Sequence, residues 1–193
     1  MRFGQPLIIV SGLPRSGTSM VMQMLEVGGL EIATDHIRAA DNDNPKGYHE
    51  LERVKELDKG GDKTWLQGYK GKVVKVISYL LKDLPLYLNY KVVFILRNID
   101  EVLASQSKML IHRGEDHDFS GDAKMKINYE NHLRQVRYLL KNTPNFEVVY
   151  INHRDILNCP TEPIRRMNKF IGNLLDEQAM ANTVDPELYR NRA

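Results

Sequence analysis

The stretch GLPRSGTS, Gly12 to Ser19, follows the apolar run LIIV and carries the residue types that hold an anion. Gly12 and Gly17 let the backbone curl until successive N–H groups converge, and a helix beginning near Thr18 adds the partial positive charge of its N-terminus. Arg15, at the crest, brings a fixed charge and a donor fork suited to phosphate or sulfate oxygens. Thr18 and Ser19 add hydroxyls. A magnesium-dependent nucleoside triphosphatase would need lysine at position 18 and a carboxylate at the end of a neighbouring strand. Here position 18 is threonine, and the strand-like run KVVFIL leads into Arg97. The ligand expected of this loop therefore presents another anion where magnesium would lie.

Arg97 and Ser105, eight residues apart in RNIDEVLAS, form a second candidate pair. Read as a helix, the segment buries Ile99, Val102, Leu103, Met109 and Leu110 and sets Glu101, Ser105 and Lys108 together on the other face. A strand-end arginine and a serine on the next helix can clasp a second phosphate; the plainer alternative is a salt bridge closing the strand end. Lys75 interrupts the apolar run KVVKVI. A buried lysine is costly without an anion, so it either faces the ligand or snorkels from the sheet edge to water. His36, Arg38, Asp41, Asp43 and Lys46 lie in a polar excursion that either meets a second substrate or is a hydrated loop. His112, His117, His132 and His153 have no ligand spacing with one another or with Cys159, so no metal site is read.

These residues need elements to position them. Four apolar, β-branched runs, at 6–12, 72–77, 91–97 and 146–152, read as buried strands. Helical patterning covers 18–28, 50–59, 78–84, 99–112, 122–142 and 162–173. Met20, Met22 and Met24 belong to the first of these helices as packing residues. Alternating strands and helices imply a three-layer α/β domain of the P-loop type, with a mostly parallel central sheet flanked by helices. Gly28-Gly29 ends the first helix, Asp100 caps the helix after the third strand, and Pro163 opens the last. Polar segments at 34–50 and 112–122 are placed to rim a site at the strand C-termini.

Bulk properties narrow the classes. The 193 residues suit one domain, read as 1–193. A net charge of +2 supplies no global field for nucleic acid or anionic membrane. One cysteine excludes an internal disulfide framework and fits a reduced cytoplasmic thiol. The apolar N-terminal run is too short for a signal core, and no segment approaches the ~18 apolar residues of a membrane span. The expectation is a cytoplasmic protein.

GLPRSGTS and RNIDEVLAS together resemble the phosphosulfate loop and the 3′-phosphate motif of sulfotransferases that use 3′-phosphoadenosine 5′-phosphosulfate (PAPS), and YINHRDILNCPTEPIRRMNKFIG is similar to that family's late strand, acidic turn and closing helix. The resemblance implies that Pro14, Arg15, Ser16, Gly17, Thr18 and Ser19 hold the 5′-phosphosulfate, and that Arg97 and Ser105 hold the 3′-phosphate. It further implies transfer of a sulfuryl group to a hydroxyl or amine of a small-molecule or glycan acceptor, without a metal. Arg15 would neutralise charge on the leaving bisphosphate, and Lys75, from its place near the end of its strand, would face the sulfuryl group or the acceptor. In NPKGYHE, Glu50 stands where bacterial and Golgi-type relatives carry a glutamate base. His49 is the second candidate, an imidazole that titrates near neutrality; the alternative for both is the solvated start of a helix. Two rival functions stay open: a non-catalytic nucleotide-binding module and a P-loop small-molecule kinase.

Overall fold

A computed structural model describes residues 3–35, 37, 49–112, 114 and 121–184. Four strands, β1 (Leu7–Gly12), β2 (Val73–Lys75), β3 (Tyr90–Leu96) and β4 (Phe146–Asn152), form one sheet in the order β2-β1-β3-β4. All pairs are parallel, with Ile9 opposite both Val74 and Val92, and Val93 opposite Val149. The α-helices are α1 (Thr18–Val27), α2 (Ile99–His112), α3 (Asp122–Asn142), α4 (His153–Asn158), α5 (Thr161–Ile171) and α6 (Glu177–Thr183). The expected layered α/β fold with a parallel sheet is the one observed.

The continuous apolar runs follow from burial of both sheet faces. Successive side chains alternate between two cores. Leu7, Ile9, Val92 and Phe94 pack with Leu57, Leu66, Leu81, Val136 and Leu140. Ile8, Val10, Val93 and Ile95 pack with Val21, Met22, Met24, Ile164, Met167 and Met180. Met22 and Met24 are wholly buried, in keeping with a packing role. A smaller cluster of Leu13, Val102, Leu103 and Tyr129 fastens α2 and α3 beneath the glycine loop.

Several boundaries differ from expectation for physical reasons. The helices expected at 50–59 and 78–84 are 3₁₀ turns, Glu52–Lys59 and Ser78–Asp83. Buried Leu51, Val54 and Leu57 recur every third residue, the period of a 3₁₀ helix. Asp100 does not cap α2. Asn98 does, its Oδ1 accepting from the Asp100 N–H at 2.8 Å, while the Asp100 carboxylate pairs with Lys126. The stripe expected on α2 is also corrected: Glu101 and Ser105 are buried with Val102 and Leu103, and Met109 and Leu110 are only half-buried. The N-terminal half of α2 is enclosed on two sides, by Leu13 and Tyr129 and by the loop, so polar groups there face protein rather than water. Gly28-Gly29 does end α1, with the Leu30 N–H returning to the Leu25 carbonyl at 3.0 Å and Gly29 at φ 105°. The Thr64–Tyr69 turn, α4 and α6 have no counterpart in the sequence reading. No described helix is long and apolar enough to cross a membrane.

Candidate functional site

The loop between β1 and α1 is closed by contacts that depend on its small residues. The Ser16 N–H donates to the Leu13 carbonyl at 3.1 Å, Arg15 sits at φ 66° and Gly17 at φ 95°. A Cβ on Gly12 would fall 2.4 Å from Ser16 Oγ and 2.9 Å from the Ile95 carbonyl oxygen. One on Gly17 would fall 2.4 Å from Cδ2 of His153. Gly17 precedes α1 without a side-chain cap, so the first-turn N–H groups of the helix lack intrahelical partners and point into the loop. This arrangement fits an anion.

The loop residues are not equivalent. The Ser16 hydroxyl is buried against Gly12 and has no hydrogen-bond partner among the described residues, and its N–H is spent on the turn. Pro14, half-buried, has no N–H to give and shapes the turn. Thr18 and Ser19 open α1 half-exposed. Ser19 Oγ accepts from Lys75 Nζ at 3.1 Å.

Lys75 ends β2 beside the loop, with its side chain 9% exposed. Its Nζ also donates to Glu50 Oε1 at 3.2 Å. The lysine does not snorkel away; it joins the loop to the candidate base. His49 is directed elsewhere: its Nε2 lies 3.0 Å from Glu26 Oε2, and its backbone is left-handed at φ 48°. Glu26 stands seven residues beyond Ser19, roughly 10 Å along the axis of α1. Of the two candidate bases, Glu50 is the one joined to the loop by this chain of hydrogen bonds.

A second polar cluster faces the other side of the loop. Arg15 Nε donates to Ser105 Oγ at 3.1 Å, and Arg97 Nη1 donates to the Arg15 carbonyl at 2.9 Å. Arg97, Ser105 and the loop crest are thereby brought together. Glu101, 1% exposed in its side chain, accepts from Arg97 Nε at 3.1 Å and, through its other oxygen, from Arg154 Nη2 at 2.9 Å. His153 is buried between this cluster and Gly17. Burial first, and then the Arg97 charge, push its imidazole down to about 4, against an opposing pull from Glu101.

The profile of the sulfotransferase domain matches residues 5–187. The chain belongs to this sulfotransferase family. No curated protein matches it in sequence. Among solved structures, this sulfotransferase chain is similar to mouse sulfotransferase SULT7A1 complexed with PAP, at 14% identity and a TM-score of 0.60, covering 97% of this chain and 66% of that one. It is similar to the sulfotransferase domain of the curacin biosynthetic pathway, at 13% identity and a TM-score of 0.57, covering 94% and 78%. A sulfotransferase from Alicyclobacillus acidocaldarius gives 14% identity and a TM-score of 0.55, covering 96% and 88%. The chain thus spans 66% of the mouse protein's length.

Three residues of the site are not assigned to it by the sequence alone: Glu101, Arg154 and His153. Glu101 left a signal, since it stands four residues after Arg97 at the spacing of a helical ion pair. Arg154 and His153 left none, because their place depends on β4 lying beside β3. A third cluster was equally hidden: Ser78 Oγ lies 2.8 Å from His132 Nε2, and the Tyr79 ring stacks on that imidazole at 3.7 Å. His36, Arg38, Asp41, Asp43, Lys46 and His117 lie outside the described residues. Among the described residues no group of three or more His, Cys, Asp or Glu could hold a metal ion.

Proposed function

We propose that this domain transfers a sulfuryl group from PAPS to a hydroxyl or amine of a small acceptor, with Glu50 as the base and Lys75 as the cation at the leaving oxygen. The observation that carries the proposal is the Ser19–Lys75–Glu50 chain, which sets an ammonium between the anion loop and a carboxylate. The PAP present in the similar mouse sulfotransferase, adenosine 3′,5′-bisphosphate, is the product such a donor leaves.

The loop N–H groups and Arg15 bind the 5′-phosphosulfate. Arg97 and Ser105, gathered at the loop crest, hold the 3′-phosphate. Glu50 takes the acceptor proton as the acceptor atom bonds to sulfur, while the bridging S–O bond breaks and its electron pair stays on the 5′-phosphate oxygen. Lys75 and the loop donors neutralise that oxygen in a partly buried site, where such charge stabilisation is strongest. Holding acceptor and donor in line supplies part of the acceleration. No step calls for a metal. The kinase alternative lacks both the lysine at position 18 and a carboxylate after β3, where Arg97 stands.

Calorimetry tests the reading. Adenosine 3′,5′-bisphosphate is expected to bind without magnesium, and Arg97→Ala to abolish binding; preference for Mg-ATP would sink the proposal. Incubation with radiolabelled PAPS and a panel of hydroxyl and amine acceptors then separates an enzyme, which yields a labelled product, from a nucleotide-binding module, which yields none.

A further inference from the structure

We infer that Arg154 is a further nucleotide-binding residue, closing with Arg97 on the 3′-phosphate while Glu101 holds both guanidinium groups. The inference rests on the donor reading above. Its geometry comes from adjacent strands: Leu96 at the end of β3 lies in register with Asn152 at the end of β4, so Arg97 and Arg154 emerge side by side at the sheet's C-terminal edge. Open α/β sheets bind their ligands at that edge.

The two arginines share one carboxylate but differ in exposure. Arg97 is nearly buried, and its Nε and Nη1 are occupied by Glu101 and the Arg15 carbonyl. It can offer a ligand little more than its remaining edge. Arg154, on the opposite oxygen of Glu101, keeps a side chain that is 51% exposed. Together the three side chains carry one net positive charge beside Arg15 and the loop. Burial first, and the Arg97 charge second, lower the proton affinity of the neighbouring His153 against an opposing pull from Glu101. Glu101 also fixes the direction of each fork, which suits a phosphate better than loose surface cations would.

The test uses the full chain and compares adenosine 3′,5′-bisphosphate with 5′-AMP, which lacks the 3′-phosphate. Arg154→Gln is expected to weaken bisphosphate binding about 10- to 100-fold, the range of a charge-assisted contact, and to change 5′-AMP binding by less than about 2-fold. Arg154→Lys should recover part of the loss, because it keeps the charge without the fork. The salt dependence of bisphosphate binding should become shallower in Arg154→Gln. Equal weakening of both nucleotides, or unchanged bisphosphate binding in a variant that melts like the parent, overturns the assignment. Absence of bisphosphate binding in the parent chain fails the donor reading itself, and the Arg154 assignment with it.

Discussion

His153 lies between the loop and the Arg97–Glu101–Arg154 cluster, and because it is buried there without charge, acid is the sharpest probe of that joint. The imidazole falls from an ordinary 6.5 to about 4, because burial and then Arg97 disfavour the charged form. The unfolded chain therefore binds a proton at a pH where the folded chain does not. Stability from this residue is full above the unfolded value and is lost as pH falls through 6.5 towards 4. Each tenfold difference in proton affinity between the folded and unfolded chains corresponds to about 1.4 kcal/mol. Between roughly pH 7.5 and pH 5 the loss is about 2 kcal/mol. Urea unfolding at those two pH values reads it directly, with His153→Gln as the non-titrating comparison. His132, whose proton affinity is also lowered by burial, contributes with the same sign to both proteins and cancels in the difference. The expected result is a stability drop about 2 kcal/mol smaller in His153→Gln. An identical drop in the two proteins would refute the reasoning, since it would mean that the ring takes up its proton without cost.

Three further outcomes follow from the geometry. Glu50→Gln should lower kcat by about 10²- to 10⁴-fold in a sulfuryl-transfer assay, the usual contribution of a general base, whereas His49→Gln should leave it nearly unchanged; the reverse order would exchange their roles. Lys75→Ala should reduce kcat by about 10²- to 10³-fold, as for loss of one transition-state donor, while calorimetry shows a smaller change in bisphosphate affinity; equal losses in both would make Lys75 a binding residue only. Gly17→Ala adds a Cβ 2.4 Å from His153 at a left-handed backbone position, so it should lose bisphosphate binding and melt earlier, and unchanged affinity would contradict the close contact described.

The layered fold was legible because β-branched runs such as IIV and VVFI are best satisfied by burial on both faces of a parallel sheet. The loop was legible too, since its glycines and arginine are contiguous in the chain. What stayed hidden is what depends on contacts between distant segments. Lys75 and Glu50 could each be singled out, but nothing in their spacing of twenty-five residues says that one ammonium reaches both Glu50 and Ser19. The motif singles out Ser16, but its position in the chain does not show that its N–H closes a turn onto Leu13 or that its hydroxyl is buried. The segments after β2 and before Thr64 are legible as helical but not as 3₁₀ turns, because short apolar spacings of three and four look alike in a brief segment.

The closed loop bears on when conformational freedom is given up. The Leu13–Ser16 turn, the Gly12 contact with Ser16, the Gly17 contact with His153 and the left-handed Arg15 are all made by the protein alone. Ordering these residues is thus charged to folding, where a whole core offsets it, and not to the encounter with a nucleotide. Under the proposed function, a nucleotide meeting this loop would find its cradle already formed, and little of the binding energy would go to shaping it.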